Sequence, residues 1–164
     1  GSTYRGMTAL PLENVQDYPR PPALEPVEHV LRIELGGQTI AETTDGWRVL
    51  ETHHAPTYYL PAEAFSDGAL EPAHGSSLCE WKGRASYWTL VAGSRRAPRA
   101  GWGYLSPTPD FRALRDHIAV YPGAMDACWV GDVRVTPQPG GFYGGWGTPN
   151  LTGRIKGAPG TEHW

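Results

Sequence analysis

A chain of 164 residues and 17.9 kDa has room for one domain with a real core, and not for two. With 40% hydrophobic and 19% charged residues and a net charge of -3, it lacks the basic surplus expected of a protein that binds nucleic acid or an anionic membrane. Its 21 Gly and 16 Pro interrupt long helices, and no apolar run is long enough to span a bilayer, so the composition points to a soluble protein of short strands and many turns.

Gly1–Glu28 reads as an arm. Pro11, Pro19, Pro21, Pro22 and Pro26 favour extended backbone and remove ladder donors, while Leu10, Leu12, Val15, Tyr18 and Leu24 offer anchors for a strap over the core. A binding tail is the alternative. The segment lacks the basic start and apolar centre of a signal peptide, which predicts a cytoplasmic location. His29–Leu35 alternates, with Val30, Arg32 and Glu34 on one face and Leu31, Ile33 and Leu35 on the other, as a half-buried strand does. Gly36-Gly37 is a hairpin turn into a second strand, Gln38–Thr43, and Asp45-Gly46 turns into a third, Trp47–Thr52. Thr57–Leu60 is a short β-prone run, and Pro61–Phe65 is a helical turn with proline in its first position.

Asp67–Gly75 reads as a loop, followed by strands over Leu78–Glu80 and Ala85–Ala92. Gly93–Arg99 reads as an exposed basic turn and Gly101–Leu105 as an aromatic strand. Thr108 is placed to cap a helix that starts at Pro109, with Phe111, Leu114 and Ile118 on its apolar face and Pro122-Gly123 at its end. Ala127–Val135 reads as the last strand. From Pro137 the chain is too rich in glycine for regular structure and too aromatic for a solvated linker, so it is expected to wrap back, anchored by Phe142, Tyr143, Trp146 and Trp164. The expected fold class is mainly β: a single compact antiparallel domain (29–136) with one short helix, an N-terminal arm (1–28) and a C-terminal tail (137–164).

The segments V-L-E-T-H-H-A-P-T-Y-Y-L-P at Val49–Pro61, C-E-W-K-G-R-A-S-Y-W at Cys79–Trp88, W-G-Y at Trp102–Tyr104 and I-A-V-Y at Ile118–Tyr121 resemble the family called DUF427, over about Val30 to Trp129. The closing G-G-W…G…K-G…P-G-T…W run is similar to an extension found on some members. The resemblance implies a compact, mainly antiparallel β domain and admits the tent-like arrangement of Mss4-like proteins. The nucleotidyltransferase label that the family has carried finds no support in the residues. That chemistry uses metal-binding carboxylates on a strand, and no Asp-x-Asp pattern occurs. G-G-F-Y-G-G-W-G lacks a P-loop lysine and does not open a helix after a strand. With no CxxC, no HExxH and no paired Cys/His spacing, neither a metal nor another cofactor is expected.

The densest chemistry lies in Ser76–Trp88, read as strand, tight turn and strand. It sets Cys79, Lys82, Trp81, Tyr87 and Trp88 around Gly83. A thiol is a nucleophile as thiolate, and Lys82 is near enough in sequence to lower the pKa of Cys79. The competing reading of Cys79 is a small buried hydrophobe, which is also the reading preferred for Cys128. Glu51, His53 and His54 form a second cluster in which His54 is a candidate base and Glu51 its carboxylate partner; a polar rim at a strand end is the alternative. Tyr58 and Tyr59 point to opposite faces of a strand, and Tyr59 is the one assigned to the pocket. Trp47, Trp81, Trp88, Trp102, Tyr87, Tyr104 and Tyr121 exceed what a small core needs and offer rigid walls for a planar ligand, though some serve packing alone.

Three functions follow. The first is a metal-independent enzyme acting on a small, partly planar metabolite, with Cys79, Lys82, His54 and Glu51 as its polar groups and Tyr59, Trp81, Tyr87, Trp88, Trp102, Tyr104 and Tyr121 around the ligand. The second is a non-catalytic module that binds such a molecule between the same rings. The third is a structural domain whose arm and tail contact a protein partner. Nucleic acid is not an expected partner, because Arg95, Arg96 and Arg99 cluster in one turn and are not interleaved with the rings.

Overall fold

The computed structural model describes residues 10–79, 82–139 and 144–158, with the side chain of Cys79 outside that description. The fold is mainly β, with 51% of residues in strands and the two larger sheets antiparallel throughout. Among the described residues fifteen strands run in chain order: β1 Glu13–Asn14, β2 Ala23–Pro26, β3 Leu31–Leu35, β4 Gln38–Thr43, β5 Trp47–Leu50, β6 Thr57–Pro61, β7 Leu70–Cys79, β8 Gly83–Ala92, β9 Arg95–Tyr104, β10 His117–Val120, β11 Ala127–Val130, β12 Val133–Arg134, β13 Thr136–Pro137, β14 Trp146–Gly147 and β15 Leu151–Thr152. The large sheet has the order β2-β5-β6-β10-β9-β8-β7, and a second sheet has the order β12-β11-β3-β4. Among the described residues no helix is long and apolar enough to cross a membrane.

Side-chain alternation sets the two layers. Leu31, Ile33 and Leu35 of β3 and Cys128 and Val130 of β11 are buried, and they share one core with Tyr58 and Leu60 of β6, Leu90 of β8, and Ile118 and Val120 of β10. The period of two sends Tyr59, Ala119 and Tyr104 to the opposite face of the large sheet. There they form a smaller cluster with Val49, Ala85, Phe111 and Leu114, and Trp47 and Trp102 pack against it. The large sheet therefore has apolar material on both faces, and the candidate site stands on the second.

Several sequence readings are corrected. The segment expected as a loop, Asp67–Gly75, contributes Leu70 onward to β7, whose pairing with β8 shifts register between Pro72 and Ser76. Its proline, glycine and serines fit because β7 is an edge strand, where a missing N–H costs little and a bulge is tolerated. The expected basic turn is only Gly93-Ser94; Arg95, Arg96 and Arg99 lie on β9. Arg96 pairs with Glu71 at 2.6 Å, and the Arg99 guanidinium stacks 4.4 Å from the Tyr87 ring. The helix exists only as a 3-10 segment, Pro109–Leu114, kinked at Phe111 and without a side-chain cap from Thr108. Ile118 matched the helical spacing but sits in β10, where it faces the main core while Phe111 and Leu114 face the smaller cluster. Ala127–Val135 is not one strand, because Gly131, at φ +59°, folds β12 back on β11.

The two extensions hold each other. β1 of the arm pairs in parallel with β15 of the tail, and β2 is the edge strand of the large sheet against β5, so the last residues assigned to the arm belong to the domain. Arg48 of β5 fastens the arm from below. It binds Glu13 through both terminal nitrogens at 3.1 and 3.0 Å, and Glu25 through Nε at 2.7 Å. In the tail, Trp146 is fully buried with its ring centroid 5.0 Å from that of Tyr58, and its indole N–H donates to the Val120 carbonyl at 3.3 Å.

Candidate functional site

A cleft of about 160 Å³ opens on the second face of the large sheet, lined by Val49, Glu51, His54, Ala55, Thr57, Lys82, Trp102, Tyr121, Gln138, Gly144 and Gly145. That is space for about five waters or one small ring. Glu51 and His54 come from the turn between β5 and β6, where the His54 N–H donates to the Glu51 carbonyl at 3.0 Å. Lys82 comes from the turn between β7 and β8. The Thr108 N–H donates to its carbonyl at 3.0 Å, which docks this hairpin on the chain beyond β9. Trp102 stands on β9 and Tyr121 just after β10, with ring centroids 4.6 Å apart and planes 45° apart. Tyr59 lies edge-on to Trp102 at 6.4 Å and fixes the indole without reaching the cleft itself.

The remaining wall is tail. Gly144 lies against the Trp102 ring so closely that a Cβ there would stand 2.1 Å from Cη2. Gly145 is held as tightly: a Cβ would stand 2.3 Å from Gln138 Oε1 and 2.6 Å from the Ala55 carbonyl. Gln138 is buried, and both ends of its amide are engaged. Oε1 accepts from the Ala55 N–H at 3.2 Å, while Nε2 donates to the Lys156 carbonyl at 3.0 Å and lies 3.1 Å from His54 Nδ1.

The electrostatics favour a neutral imidazole. Burial lowers the His54 pKa below its ordinary value, and Lys156, Arg20 and Lys82 push in the same direction, while Glu51 opposes them. Glu51 is itself 3.7 Å from Arg20. Of the groups that line the cleft, Lys82 carries a positive charge and Glu51 a negative one. No three of His, Cys, Asp and Glu among the described residues converge as a metal-ligand set.

The family described as a domain of unknown function, DUF427, matches residues 23–131, more than half of the chain. The chain belongs to the DUF427 family. Comparison with curated proteins gives no match. The family region includes Glu51, His54, Lys82, Trp102 and Tyr121. Gln138, Gly144 and Gly145 lie beyond it, so the cleft of this DUF427 protein is completed by its own tail.

Of the residues singled out in the sequence, Glu51, His54, Lys82, Trp102 and Tyr121 meet in the cleft. Tyr59 and Tyr104 are buried behind it. Tyr87 shares the Trp102 face of the sheet, opposite it in the β8–β9 ladder, and is engaged by Arg99 and by the Ser77 hydroxyl at 2.9 Å. Trp88 points to the other face and packs on the main core. Trp81 and the Cys79 side chain lie outside the described residues, as do Phe142, Tyr143 and Trp164 of the tail. His53 does not line the cleft; its Nδ1 donates to the Arg154 carbonyl at 3.0 Å, which ties down the tail. Gln138 was not found from the sequence. A lone glutamine between two prolines carries no pattern, and its role depends on contacts 83 and 84 residues away.

Two further hollows matter less. One of about 390 Å³ adjoins the cleft across Tyr121 and Gln138, and gives a longer ligand room to extend past Pro98 and Pro122. The other, about 400 Å³ beside Arg48 and Tyr58, is the seam beneath the arm. There Arg48 donates to both Glu13 and Glu25.

Proposed function

We propose that this DUF427 protein is an enzyme that carries out acid–base chemistry on a small, partly planar, negatively charged metabolite held against Trp102 and Tyr121. The supporting observation is the meeting of Glu51, His54 and Lys82, from two different turns, at the edge of a ring pair in one cleft. Each group has a distinct use. Lys82 attracts and orients the anion, Glu51 is the carboxylate placed to take up a proton, and His54 is the imidazole beside it. Cys79 ends β7 three residues before Lys82 and is the candidate nucleophile of the same hairpin. The roughly 160 Å³ of the cleft itself suits one ring or a short conjugated acid.

Native mass spectrometry of the purified chain tests the ligand half of this reading. A retained small acid, lost from Trp102→Ala and Lys82→Ala variants that still fold, is the expected result. Ligand-observed NMR with benzoate as probe supplies the second arm. Saturation transfer to benzoate in the parent protein and its loss in both variants support the cleft, and equal transfer in all three proteins overturns it. Turnover of an identified ligand, abolished by Glu51→Gln with binding kept, then separates an enzyme from a binding module.

A further inference from the structure

The tail residue Gln138 makes more contacts at the cleft than a wall residue needs. The orientation of its amide is fixed by two partners that allow no exchange. The Ala55 N–H can only donate, so the atom 3.2 Å from it is the oxygen; the Lys156 carbonyl can only accept, so the atom 3.0 Å from it is the nitrogen. Rotating the amide by half a turn would set N–H against N–H and oxygen against oxygen, with Gln138 only 3% exposed. The second hydrogen of Nε2 is then the group that meets His54 Nδ1 at 3.1 Å. A donor at that distance requires Nδ1 to be unprotonated.

We infer that Gln138 is a positioning residue that holds His54 as the neutral tautomer with its proton on Nε2, and so makes His54 a hydrogen-bond donor to an oxygen of the ligand rather than the base of the site. A proton on Nδ1, whether in the other tautomer or in imidazolium, would face the Gln138 N–H. The surrounding charges agree. Burial, Lys156, Arg20 and Lys82 all disfavour the cation, and Glu51 alone favours it. A neutral imidazole does not give up its remaining proton outright; it donates a hydrogen bond that polarises a carbonyl or binds a carboxylate. The group it serves is then a hydrogen-bond acceptor, and the proton-accepting role in the proposed chemistry falls to Glu51. The inference deepens the reading proposed above, and rests on it for its chemical use but not for its test.

Long-range proton–nitrogen spectra of the full chain report the protonation of each imidazole nitrogen directly, and a His54→Asn variant assigns the His54 signals. The expected parent spectrum at neutral pH shows Nδ1 of His54 bare and Nε2 protonated, with a scalar coupling across the hydrogen bond between Gln138 Nε2 and His54 Nδ1. Gln138→Glu replaces the donor with an acceptor. Its expected effect is inversion of the tautomer to Nδ1–H by at least about tenfold and a rise in the His54 titration midpoint, a change that loss of packing alone would not produce. A parent protein with Nδ1 protonated, or a folded Gln138→Glu variant with an unchanged tautomer and midpoint, overturns the inference. Should the variant not fold, the coupling in the parent decides: its presence supports the assignment, and its absence together with a protonated or exchanging Nδ1 rejects it. None of these readouts needs turnover, so a non-catalytic protein can still confirm the role of Gln138, and an active one can still refute it.

Discussion

Gly144 rests against the Cη2 edge of the Trp102 ring with no room for a side chain between them. A Cβ would come within 2.1 Å of Cη2, 2.9 Å of Cζ2 and 3.1 Å of Cζ3, all atoms of one rigid ring. Because Tyr59 and Tyr121 brace that ring from other sides, the indole cannot swing away, and the strain falls on the tail. Gly144→Ala is therefore expected to lift the tail off the cleft, with a stability loss of about 1–3 kcal/mol. Indole fluorescence should shift toward that of solvated tryptophan, and benzoate binding should weaken. A variant with unchanged melting temperature, emission and binding would show that the tail does not close the site.

Trp146 is the deepest anchor of the same tail. Its indole is fully buried against Tyr58, and its backbone N–H donates to the Pro56 carbonyl at 2.7 Å, next to the His54 turn. Trp146→Ala removes that packing and is expected to cost about 3–5 kcal/mol in urea denaturation. Trp146→Phe keeps most of the ring and is expected to cost about half as much, the missing indole donor leaving the Val120 carbonyl one partner short. Equal stability of all three proteins would mean that the tail is not part of the cooperative fold.

The two sheets were legible in the sequence wherever a strand had one wet face. The Leu31, Ile33, Leu35 alternation and the Gly36-Gly37 turn gave β3 and β4 directly, because the period of two survives in the residues. The first part of β7 reads as a loop in the sequence because an edge strand tolerates residues that elsewhere signal one. The helix was overread because Phe111, Leu114 and Ile118 are all buried at helical spacing, yet in two different clusters on opposite faces of one sheet. The cleft was half legible. Glu51, His54, Lys82 and Trp102 stood out as reactive or aromatic groups near turns. Gln138, Gly144 and Gly145 were recognisable only as tail, because their roles lie in distance to partners far along the chain, and no local pattern encodes such a contact.

Cys128 provides a check on the core that also bears on the proposed nucleophile. Burial pushes its thiol well above the ordinary value, with Glu34 adding to the shift, and the side chain is 1% exposed between β3 and β12. A Cys79→Ser variant carries Cys128 as its only thiol. It is expected to resist a disulfide reagent at pH 8 until denaturant is added, with labelling that follows global unfolding. Fast labelling of the native variant would contradict the placement of β11. Once Cys128 is shown to be silent, any prompt labelling of the parent chain belongs to Cys79. A Cys79 rate no higher than that of a free cysteine near neutral pH would remove it from the proposed chemistry.

The Glu13–Arg48 pair should dominate the acid limb of stability. Burial by itself raises the Glu13 pKa, but hydrogen bonds from Arg48 and Tyr18 outweigh it and leave the carboxyl below its ordinary value of 4.5. A carboxyl with a depressed folded pKa binds its proton more weakly in the native state than in the unfolded one. Its contribution is therefore complete above about 4.5 and disappears as the pH falls through the lower folded value. Glu13→Gln keeps the shape and removes the charge, leaving Glu25 as the carboxylate that pairs with Arg48 in the arm seam. The variant is expected to be about 1–3 kcal/mol less stable at pH 7. The gap should narrow steadily below pH 4.5, because the parent loses there what the variant never had. Urea midpoints measured from pH 7 to pH 3 test this. Parallel profiles for the two proteins across that range would show that the arm is not held through the Glu13 carboxylate.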